Sequence, residues 1–413
     1  MSSAPTDTQG SLNRRLRELA QIFSRLGCVG FGGPQAHIAM QNDEAVERRK
    51  WLTQEQFSDG LAVCEMLPGP ASTQMGIYLG YIYAGQLGAL VAGTAFIAPA
   101  FLIVVALSWA YFRWQALPQL EALFFGIAPV MIAIILGFCW KLGKKSIRDW
   151  PGVVIAIAVG LAVGGWRLNP LVAFVVAGLV GLVLYRPRRP GSPQPLWLPL
   201  ALMAGVPLAT VPTDVLDLSS FWGWERIGEF FWPLVTLFFK TGTFTFGGGL
   251  VIIPLLEFEV VDQLNWLTRS EFINGVAIGQ LSPGPVVLTS AFIGFKVAGV
   301  VGALVAAVSI FLPSFLFIMV GAPVLLRLRA NLWVQAFLKA VRPAVLGAIA
   351  AATIPLMQTA IVEQSSPVLM AIAAFIGLAA LVALIRLKVP TWQLVLGGGL
   401  LGLLTETVLG GQV

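Results

Sequence analysis

The sequence predicts an all-α polytopic membrane protein made of two repeats with opposite membrane orientation. Of its 413 residues, 57% are hydrophobic and only 11% are charged, whereas soluble domains are roughly 45–50% apolar and about 25% charged. Lipid accepts apolar side chains on a helix surface, so this excess needs no oversized dry core. Apolar runs of helical length recur at residues 87–109, 122–140, 299–325 and 367–385. With broken helices included, we expect about 9–13 membrane segments.

The small number of reactive side chains argues against an enzyme. The chain has three cysteines without a paired spacing and one histidine, His37, so no metal site and no cofactor is expected. A membrane enzyme acting on lipid-linked substrates would need clustered intramembrane Asp, Glu, His or Ser/Lys pairs, and none occurs in duplicated form. The net charge of +6 does not indicate a nucleic-acid partner, because basic residues of membrane proteins gather in cytoplasmic loops.

The two halves of the chain repeat each other in one register. Three tripeptides recur at an offset of 215 residues: FGG at 31–33 and 246–248, WLT at 51–53 and 266–268, and PGP at 68–70 and 283–285. After a one-residue slip, Pro99 falls on Pro313 and Pro129 on Pro343. Chance recurrence of Gly, Pro and Leu in apolar sequence would not keep these motifs in register, so we infer an internal duplication.

The duplication divides the chain into four parts. Residues 1–18 form a polar N-terminal tail, residues 19–185 the first repeat, residues 186–225 a linker, and residues 226–413 the second repeat. The linker contains an apolar stretch at about 196–212 that is long enough to cross a membrane and has no counterpart in the repeat. One extra span would invert the second repeat relative to the first.

The distribution of basic residues predicts the same inversion. The first repeat carries basic clusters at 48–50 and 141–148, whereas the equivalent residues 263–265 and 355–363 contain no Lys or Arg. Because basic loops stay in the cytoplasm, equivalent loops are expected on opposite sides of the membrane. We therefore expect a cytoplasmic N-terminus and a periplasmic C-terminus, with the inverted repeats found in many secondary transporters.

The FGG and PGP motifs predict breaks between half-helices inside the membrane. Glycine permits positive φ and close backbone approach, and proline removes an amide donor. Irregular backbone at that depth is tolerated only where it is buried in protein or lines a cavity, and half-helix N-termini attract anions. Ser72 and Thr73 place hydroxyls in the first turn after the first PGP motif. The alternative is that both motifs only bend helices for packing.

Charged residues within apolar sequence are further candidates. Arg25 and Lys240 are equivalent, and such a pair of cations would suit a doubly charged anion; snorkelling to lipid headgroups is the alternative. Glu65, just before the first PGP motif, is a candidate carrier of a coupling proton, with a hydrogen-bonded structural role as the alternative. His37 has Ile252 at the equivalent position, so we expect a structural role for it.

The motifs, in this order, resemble the chromate transporter family. The resemblance rests on FGGPQAHIAM, RRKWLTQEQF and CEMLPGPASTQMGIYLGY in the first repeat, and on FGGGLVIIPLLE and QLSPGPVVLTSAFIGF in the second. It covers nearly the whole chain and matches the long, two-domain form of the family.

The resemblance implies a secondary transporter that exports chromate across the bacterial inner membrane and confers chromate resistance. Transport of sulfate or another oxyanion, including uptake, stays open as the alternative, as does a homodimer within the membrane lipids. The motif positions carried over as substrate-binding candidates are Gly32, Gly33, Pro68, Gly69, Pro70, Gly247, Gly248, Pro283, Gly284 and Pro285.

Overall fold

The computed structural model describes residues 7–186, 221–245, 248–329 and 331–409, which form helices joined by short connections. The first-repeat helices are α1 (Asp7–Val29), α2 (Gly33–Asn42), α3 (Gln54–Met66), α4 (Ala71–Trp114), α5 (Pro118–Ser146), α6 (Trp150–Gly165) and α7 (Pro170–Leu184). The second-repeat helices are α8 (Trp224–Thr243), α9 (Ile252–Leu256), α10 (Arg269–Leu281), α11 (Thr289–Arg329), α12 (Leu332–Met357), α13 (Pro367–Ile385) and α14 (Thr391–Leu409). The predicted linker span at 196–212 and the candidate residue Gly247 lie outside the described residues.

Local sequence explains where many helices begin. Proline occupies one of the first two positions of α2, α5, α6, α7 and α13, where its missing N–H breaks no helical bond. Both α3 and α10 begin with a capping box, in which Thr53 accepts from the Gln56 amide and Thr268 from the Glu271 amide, each at 3.2 Å. The two boxes occupy equivalent positions after the WLT motifs, so repeated sequence gives repeated local structure.

Six of the described helical segments are long and apolar enough to cross a membrane. They are Ala71–Trp114, Pro118–Ser146, Val286–Val320, Leu332–Val362, Pro367–Ile385 and Thr391–Leu409. The helices α6 and α7 are also apolar but shorter, at 16 and 15 residues. The chain is therefore a multi-pass membrane protein, whereas the larger number of segments expected from the sequence stays a prediction.

The long helix α4 is a helical hairpin rather than a continuous rod. Ala84 and Gly85 have non-helical backbone angles, with φ +65° at Gly85. A Cβ placed on Gly80 would lie 2.3 Å from the carbonyl oxygen of Gly88, although eight residues of straight helix span about 12 Å. The chain therefore reverses at this point, and residues 71–83 form the first arm of α4.

The helix α11 reverses in the same way at the equivalent position. Ala298 and Gly299 have non-helical angles, and a Cβ on Gly294 would lie 2.3 Å from the carbonyl oxygen of Gly302. Since both breaks use the sequence Ala-Gly, the second residue supplies a positive φ without steric cost.

Two further hairpins open the first repeat, with the FGG and PGP motifs at their tips. Glu18 of α1 forms an ion pair with Arg49, beyond the end of α2, so these two segments run antiparallel. A Cβ on Gly60 of α3 would lie 2.3 Å from Cε1 of Tyr78 in the first arm of α4, so this pair also runs antiparallel. In the second repeat, Lys240 of α8 likewise pairs with Glu259 beyond α9, and a Cβ on Gly275 of α10 would lie 2.4 Å from Cδ1 of Phe292 in α11. We call residues 31–33 and 246–248 the FGG tips, of which residues 246–247 lie outside the described residues, and we call residues 68–70 and 283–285 the PGP tips.

The last two helices of each repeat pack mainly on the other repeat. The helices α6 and α7 lie against α12, and α13 and α14 lie against α5. A Cβ on Gly347 of α12 would lie 2.0 Å from the Ala156 carbonyl of α6, and one on Gly402 of α14 would lie 2.0 Å from the Ala122 carbonyl of α5. Small residues allow this close approach, which is typical of helices that pack in lipid.

Candidate functional site

The hairpin tips of the two repeats meet at the repeat interface. The amide of Gly69, in the first PGP tip, donates a 2.6 Å hydrogen bond to the carbonyl oxygen of Thr245, directly before the second FGG tip. On the other side, Nε2 of His37 in α2 lies 3.1 Å from the carbonyl oxygen of Pro283 in the second PGP tip. Each PGP tip therefore contacts the FGG hairpin of the opposite repeat.

The glycines of the PGP tips leave no room for a side chain. A Cβ on Gly69 would lie 2.5 Å from Oγ of Ser314 in α11, and one on Gly284 would lie 2.3 Å from Cβ of Ala100 in α4. Ser314 and Ala100 are themselves equivalent in the two repeats, so the contact is made twice. Gly69 also has φ +125°, a conformation that favours glycine. The described FGG-tip glycines with positive φ are Gly32, Gly33 and Gly248.

Buried polar side chains surround the start of α4. Ser72, Thr73 and Gln74 are at most 1% exposed. Gln74 donates through Nε2 to the carbonyl oxygen of Pro68 at 2.6 Å, and Gln41 of α2 donates through Nε2 to the carbonyl oxygen of Ser72 at 3.0 Å. The amides of Thr73 and Gln74 bond to the Pro70 carbonyl oxygen, whereas the amides of Ala71 and Ser72 remain available and carry partial positive charge. The arrangement therefore offers donors and hydroxyls suited to an anion.

His37 joins three segments at this point. Its Nδ1 lies 3.4 Å from Oγ of Ser72, and its Nε2 lies 2.5 Å from the Gly30 carbonyl oxygen and 3.1 Å from that of Pro283. A proton on Nε2 satisfies both carbonyls, which can only accept. The sequence indicated a structural role without a symmetric partner, and the structure adds that this role links the two repeats.

The corresponding part of the second repeat is mostly apolar. A 3₁₀ turn of Val286–Leu288 replaces the first helical turn of α4. Ile252 stands at the position of His37, and Thr289 donates its hydroxyl to the Val286 carbonyl within its own segment, at 2.9 Å. The two half-sites therefore differ in chemistry although the backbone motifs repeat.

The two candidate cations are each paired with a carboxylate of their own repeat. Nη2 of Arg25 lies 3.7 Å from Oε1 of Glu44, and Nζ of Lys240 lies 2.5 Å from Oε1 of Glu259. All four residues obey the 215-residue offset. Each carboxylate lies in an equivalent π-helical stretch, Asp43–Arg48 or Glu257–Gln263. The cationic charges are thus compensated, and their predicted role in anion binding stays a prediction.

Glu65 lies near the surface of the first PGP hairpin. Its Oε2 is 3.7 Å from Nζ of Lys145 at the end of α5, and the Glu65 side chain is 43% exposed. Its equivalent Gln280 is only 9% exposed. The two PGP hairpins are therefore packed differently against their surroundings, and the proton-carrying role of Glu65 stays a prediction.

A cavity of about 880 Å³ lies beside the WLT motif of the second repeat. Its charged lining residues are Arg167, Asp262, Arg269, Glu271, Lys296 and Glu363. Ion pairs compensate most of this charge, since Arg269 pairs with Asp262 at 2.6 Å and Lys296 with Glu271 at 2.8 Å. Within the described parts of the chain, no three His, Cys, Asp or Glu side chains are placed to hold a metal ion.

Three residues of the site were not singled out by the sequence analysis. Gln41 contacts Ser72 from α2, Thr245 accepts the Gly69 amide, and Ser314 lies against both Gly69 and Gln74, with Nε2 of Gln74 3.4 Å from its Oγ. In the sequence, each of these residues is a polar residue within apolar helical sequence. Many packed membrane helices contain such residues, so this feature alone does not identify a site.

The fold and the site define a multi-pass membrane protein of two repeats, with irregular backbone meeting in its interior. The chain belongs to the chromate transporter family, whose sequence profile matches residues 17–182 and 232–403, once in each repeat. Because this is a family of transporters, the chain is a transporter and not an enzyme.

Relatives match along most of the chain. A chromate transport protein of Cupriavidus metallidurans is 34% identical over 415 residues, covering 98% of this chain and 96% of the relative. A probable chromate transport protein of Synechococcus elongatus is 35% identical over 353 residues, covering 83% and 84%. The uncharacterized transporter YwrA of Bacillus subtilis is 30% identical over 169 residues, which is 39% of this chain and 95% of YwrA. No solved structure matches the chain.

Proposed function

We propose that the protein is a secondary transporter that exports chromate across the bacterial inner membrane and thereby confers chromate resistance. The observation that carries the proposal is the meeting of the hairpin tips around the buried first turn of α4. Its support is that half-helix N-termini and irregular backbone at the repeat interface form the ion sites of many secondary transporters. Chromate is proposed as the substrate because the relatives from Cupriavidus metallidurans and Synechococcus elongatus are a chromate transport protein and a probable chromate transport protein.

In this proposal the oxyanion binds between the tips. Ser72 and Thr73 provide hydroxyls beside the first-turn amides of α4. The tip glycines allow close backbone approach, and the flanking prolines end the preceding helices. The candidate motif residues are Gly32, Gly33, Pro68, Gly69, Pro70, Gly248, Pro283, Gly284 and Pro285, together with Gly247 outside the described residues. Arg25 and Lys240 contribute charge to the site only when their ion pairs with Glu44 and Glu259 open.

The distribution of charge favours export. Lys141, Lys144 and Lys145 are exposed at the end of α5, whereas the equivalent residues 355–359 are uncharged. Exposed positive charge attracts anions to that end of the protein, and the positive-inside rule assigns that end to the cytoplasm. An inside-negative potential then drives each negative charge outward by about 2.3 kcal/mol per 100 mV, and a dianion by about 4.6 kcal/mol. No ATP hydrolysis is needed.

The test is chromate flux from proteoliposomes of the purified protein, with potassium and valinomycin setting the membrane potential. We expect efflux to rise as the interior becomes more negative. Equal rates at zero and at negative potential would contradict potential-driven export, and flux no greater than in protein-free liposomes would contradict chromate transport itself.

Cells expressing the protein test the direction of transport. Export predicts lower chromate accumulation and higher resistance than in cells carrying an empty vector. Higher accumulation would identify an uptake system, and sulfate uptake that chromate merely inhibits would identify a sulfate transporter. The variant Gly69→Ala serves as the inactive control, since its Cβ would overlap Ser314.

A further inference from the structure

Three buried polar atoms around the first turn of α4 have no hydrogen-bond partner among the described residues. They are Oε1 of Gln41, Oγ1 of Thr73 and Oε1 of Gln74, on side chains that are 1%, 0% and 0% exposed. Buried polar atoms are normally hydrogen-bonded, so three unpaired ones beside one helix N-terminus indicate a polar ligand.

The hydrogen-bond network fixes which atom of each amide is unpaired. Nε2 of Gln41 donates to the carbonyl oxygen of Ser72, and Nε2 of Gln74 donates to the carbonyl oxygen of Pro68. Carbonyl oxygens only accept, so neither amide can be turned over without losing its bond. The unpaired atoms of Gln41 and Gln74 are therefore acceptors.

Only the first repeat has this set of side chains. Leu256 stands at the position of Gln41, and Leu288 stands at the position of Thr73. The equivalent of Gln74 is Thr289, whose hydroxyl is already bonded to a carbonyl of its own segment. Ser290, at the position of Met75, also has a buried hydroxyl without a described partner, but the second repeat lacks both amide acceptors, so the two halves form different sites.

The chemistry of the cluster suits an anion that carries a proton. The amides of Ala71 and Ser72 and the hydroxyl of Thr73 can donate to anion oxygens, whereas two amide oxygens require a donor from the ligand. The hydrogen bonds and ion pairs described for these side chains include no Lys or Arg. A fully deprotonated dianion would meet two carbonyl oxygens without a compensating cation, which is unfavourable in a buried site.

We propose that this site binds the oxyanion in its singly protonated form, hydrogenchromate, whose one O–H group donates to the unpaired oxygen of either Gln41 or Gln74. Chromate takes up a proton near neutral pH, whereas sulfate does not, so unpaired acceptors discriminate between two anions of similar shape. The inference rests on the proposed transport function and specifies that one charge, rather than two, crosses with each anion.

The first test measures chromate transport by the wild-type protein in proteoliposomes over a range of pH. Because the competent fraction of the substrate falls with pH, the apparent KM for total chromate should rise about tenfold per pH unit above the pKa of the anion. Sulfate should inhibit weakly at every pH. The charge moved per chromate, measured from the electrical current, should be one.

A control separates titration of the anion from titration of the protein. Among the side chains with a described contact to Ser72 or Gln74, His37 is the one that titrates. The neighbouring Ser314 of α11 is neutral, and the second PGP tip contributes the carbonyl oxygen of Pro283. The variant His37→Gln should keep the same dependence of KM on pH. A dependence that disappears in this variant would assign the effect to His37 and overturn the inference.

The second test removes the acceptors. Gln41→Met and Gln74→Met keep the side-chain length, and the variant that removes the acceptor of the O–H group should raise the KM for chromate about tenfold, the loss expected for one buried hydrogen bond. The same variant should lower the preference for chromate over sulfate by a similar factor, and no rise in KM in either variant would overturn the inference. Thr289→Val is the matched control and should leave both values unchanged, because its hydroxyl is bonded within its own segment.

The outcomes distinguish the inference from the proposed function. Chromate transport with a KM independent of pH, two charges per anion and strong sulfate inhibition would overturn the protonated ligand and leave chromate transport in place. No chromate flux at any pH would overturn both. The dependence of KM on pH in the wild-type protein tests the protonated ligand even where a glutamine variant fails to fold.

Discussion

His37 Nε2 lies 3.1 Å from the carbonyl oxygen of Pro283, so one side chain of the first repeat joins the PGP tip of the second. The equivalent junction uses backbone alone, since the Gly69 amide donates to the Thr245 carbonyl at 2.6 Å. By symmetry, the amide of Gly284 would donate to the carbonyl oxygen of Gly30. His37 occupies this place instead and contacts the Gly30 carbonyl oxygen with its Nε2. The duplicated scaffold has become asymmetric at its centre.

Replacing His37 is expected to weaken the junction between the repeats. His37→Leu leaves the carbonyls of Gly30 and Pro283 without their donor, which costs about 1–3 kcal/mol. Thermal unfolding of the purified protein in detergent measures this as a lower Tm. Ile252→Leu, at the equivalent position, is the control and should cost less than about 1.5 kcal/mol. Equal Tm values for the two variants would contradict the linking role.

Gly69→Ala is expected to abolish transport and lower stability. The new Cβ would lie 2.4 Å from Nε2 of Gln74 and 2.5 Å from Oγ of Ser314, at φ +125°. Backbone strain of this kind costs about 1–3 kcal/mol, before the steric overlap is counted. Gly165→Ala is the control, because nothing lies within 4 Å of its added Cβ. Wild-type flux in Gly69→Ala would show that the tips need not approach so closely.

The two equivalent ion pairs are expected to differ in strength. The Glu259 side chain is only 7% exposed, and Lys240→Gln removes the cation that pairs with it. This substitution should lower the free energy of unfolding by roughly 2–3 kcal/mol. Arg25→Gln should cost less than about 1 kcal/mol, because Arg25 is 66% exposed and Glu44 keeps two other arginines. Thermal unfolding of each purified variant measures the loss of stability, which should be larger for Lys240→Gln than for Arg25→Gln.

A double variant separates structural pairing from anion binding at Lys240. Lys240→Gln combined with Glu259→Gln removes both charges and should recover most of the lost stability. If chromate flux recovers together with stability, the ion pair between Lys240 and Glu259 has a purely structural role. Flux that stays low in the stable double variant would support the predicted contact between Lys240 and the anion.

Equivalent loops are expected on opposite sides of the membrane. Glu55 and Ser270 are equivalent exposed residues in the first turns of α3 and α10. With Cys28 and Cys139 replaced by serine, an impermeant maleimide should label Ser270→Cys in intact cells and Glu55→Cys only in inverted vesicles. Labelling of both from the same side would contradict the inverted repeats.

Asp149 is expected to make stability depend on acidic pH. It caps α6 and accepts hydrogen bonds from Lys339 of α12 and from Tyr185, both at 2.8 Å. The bond from Lys339 lowers the pKa of Asp149 below its usual value. A carboxylate with a lowered folded-state pKa contributes stability above its unfolded pKa and loses it as pH falls through the folded value.

The measurement compares Asp149→Asn with the wild type as pH is lowered. The wild type should be more stable by roughly 0.5–1 kcal/mol at neutral pH, and this difference should vanish in acid once Asp149 is protonated. Glu55→Gln, an exposed first-turn carboxylate, is the control and should show a smaller change. A difference that stays constant down to acidic pH would contradict the role of the charge.

Much of the architecture follows from the sequence because its determinants are local. Composition predicted the membrane class, and the register of FGG, WLT and PGP predicted two repeats, each now matched by the family profile. The predicted apolar run at 87–109 begins two residues after the break at Gly85, and the run at 299–325 begins at the break at Gly299. The preceding arm at 71–83 was expected only as a half-helix after the PGP motif, because its tyrosines, glycines and hydroxyl residues lower its hydrophobicity below that of a span.

Contacts between distant segments depended on the tertiary structure. Repetition fixes which residues are equivalent but not which tips touch, so the pairing of Gly69 with Thr245 and of His37 with Pro283 had no signature in one chain. The packing of α6 and α7 on α12 is equally non-local. The sequence of a segment determines whether it is apolar and where its helix breaks. The position of a buried polar atom depends instead on every segment that packs around it.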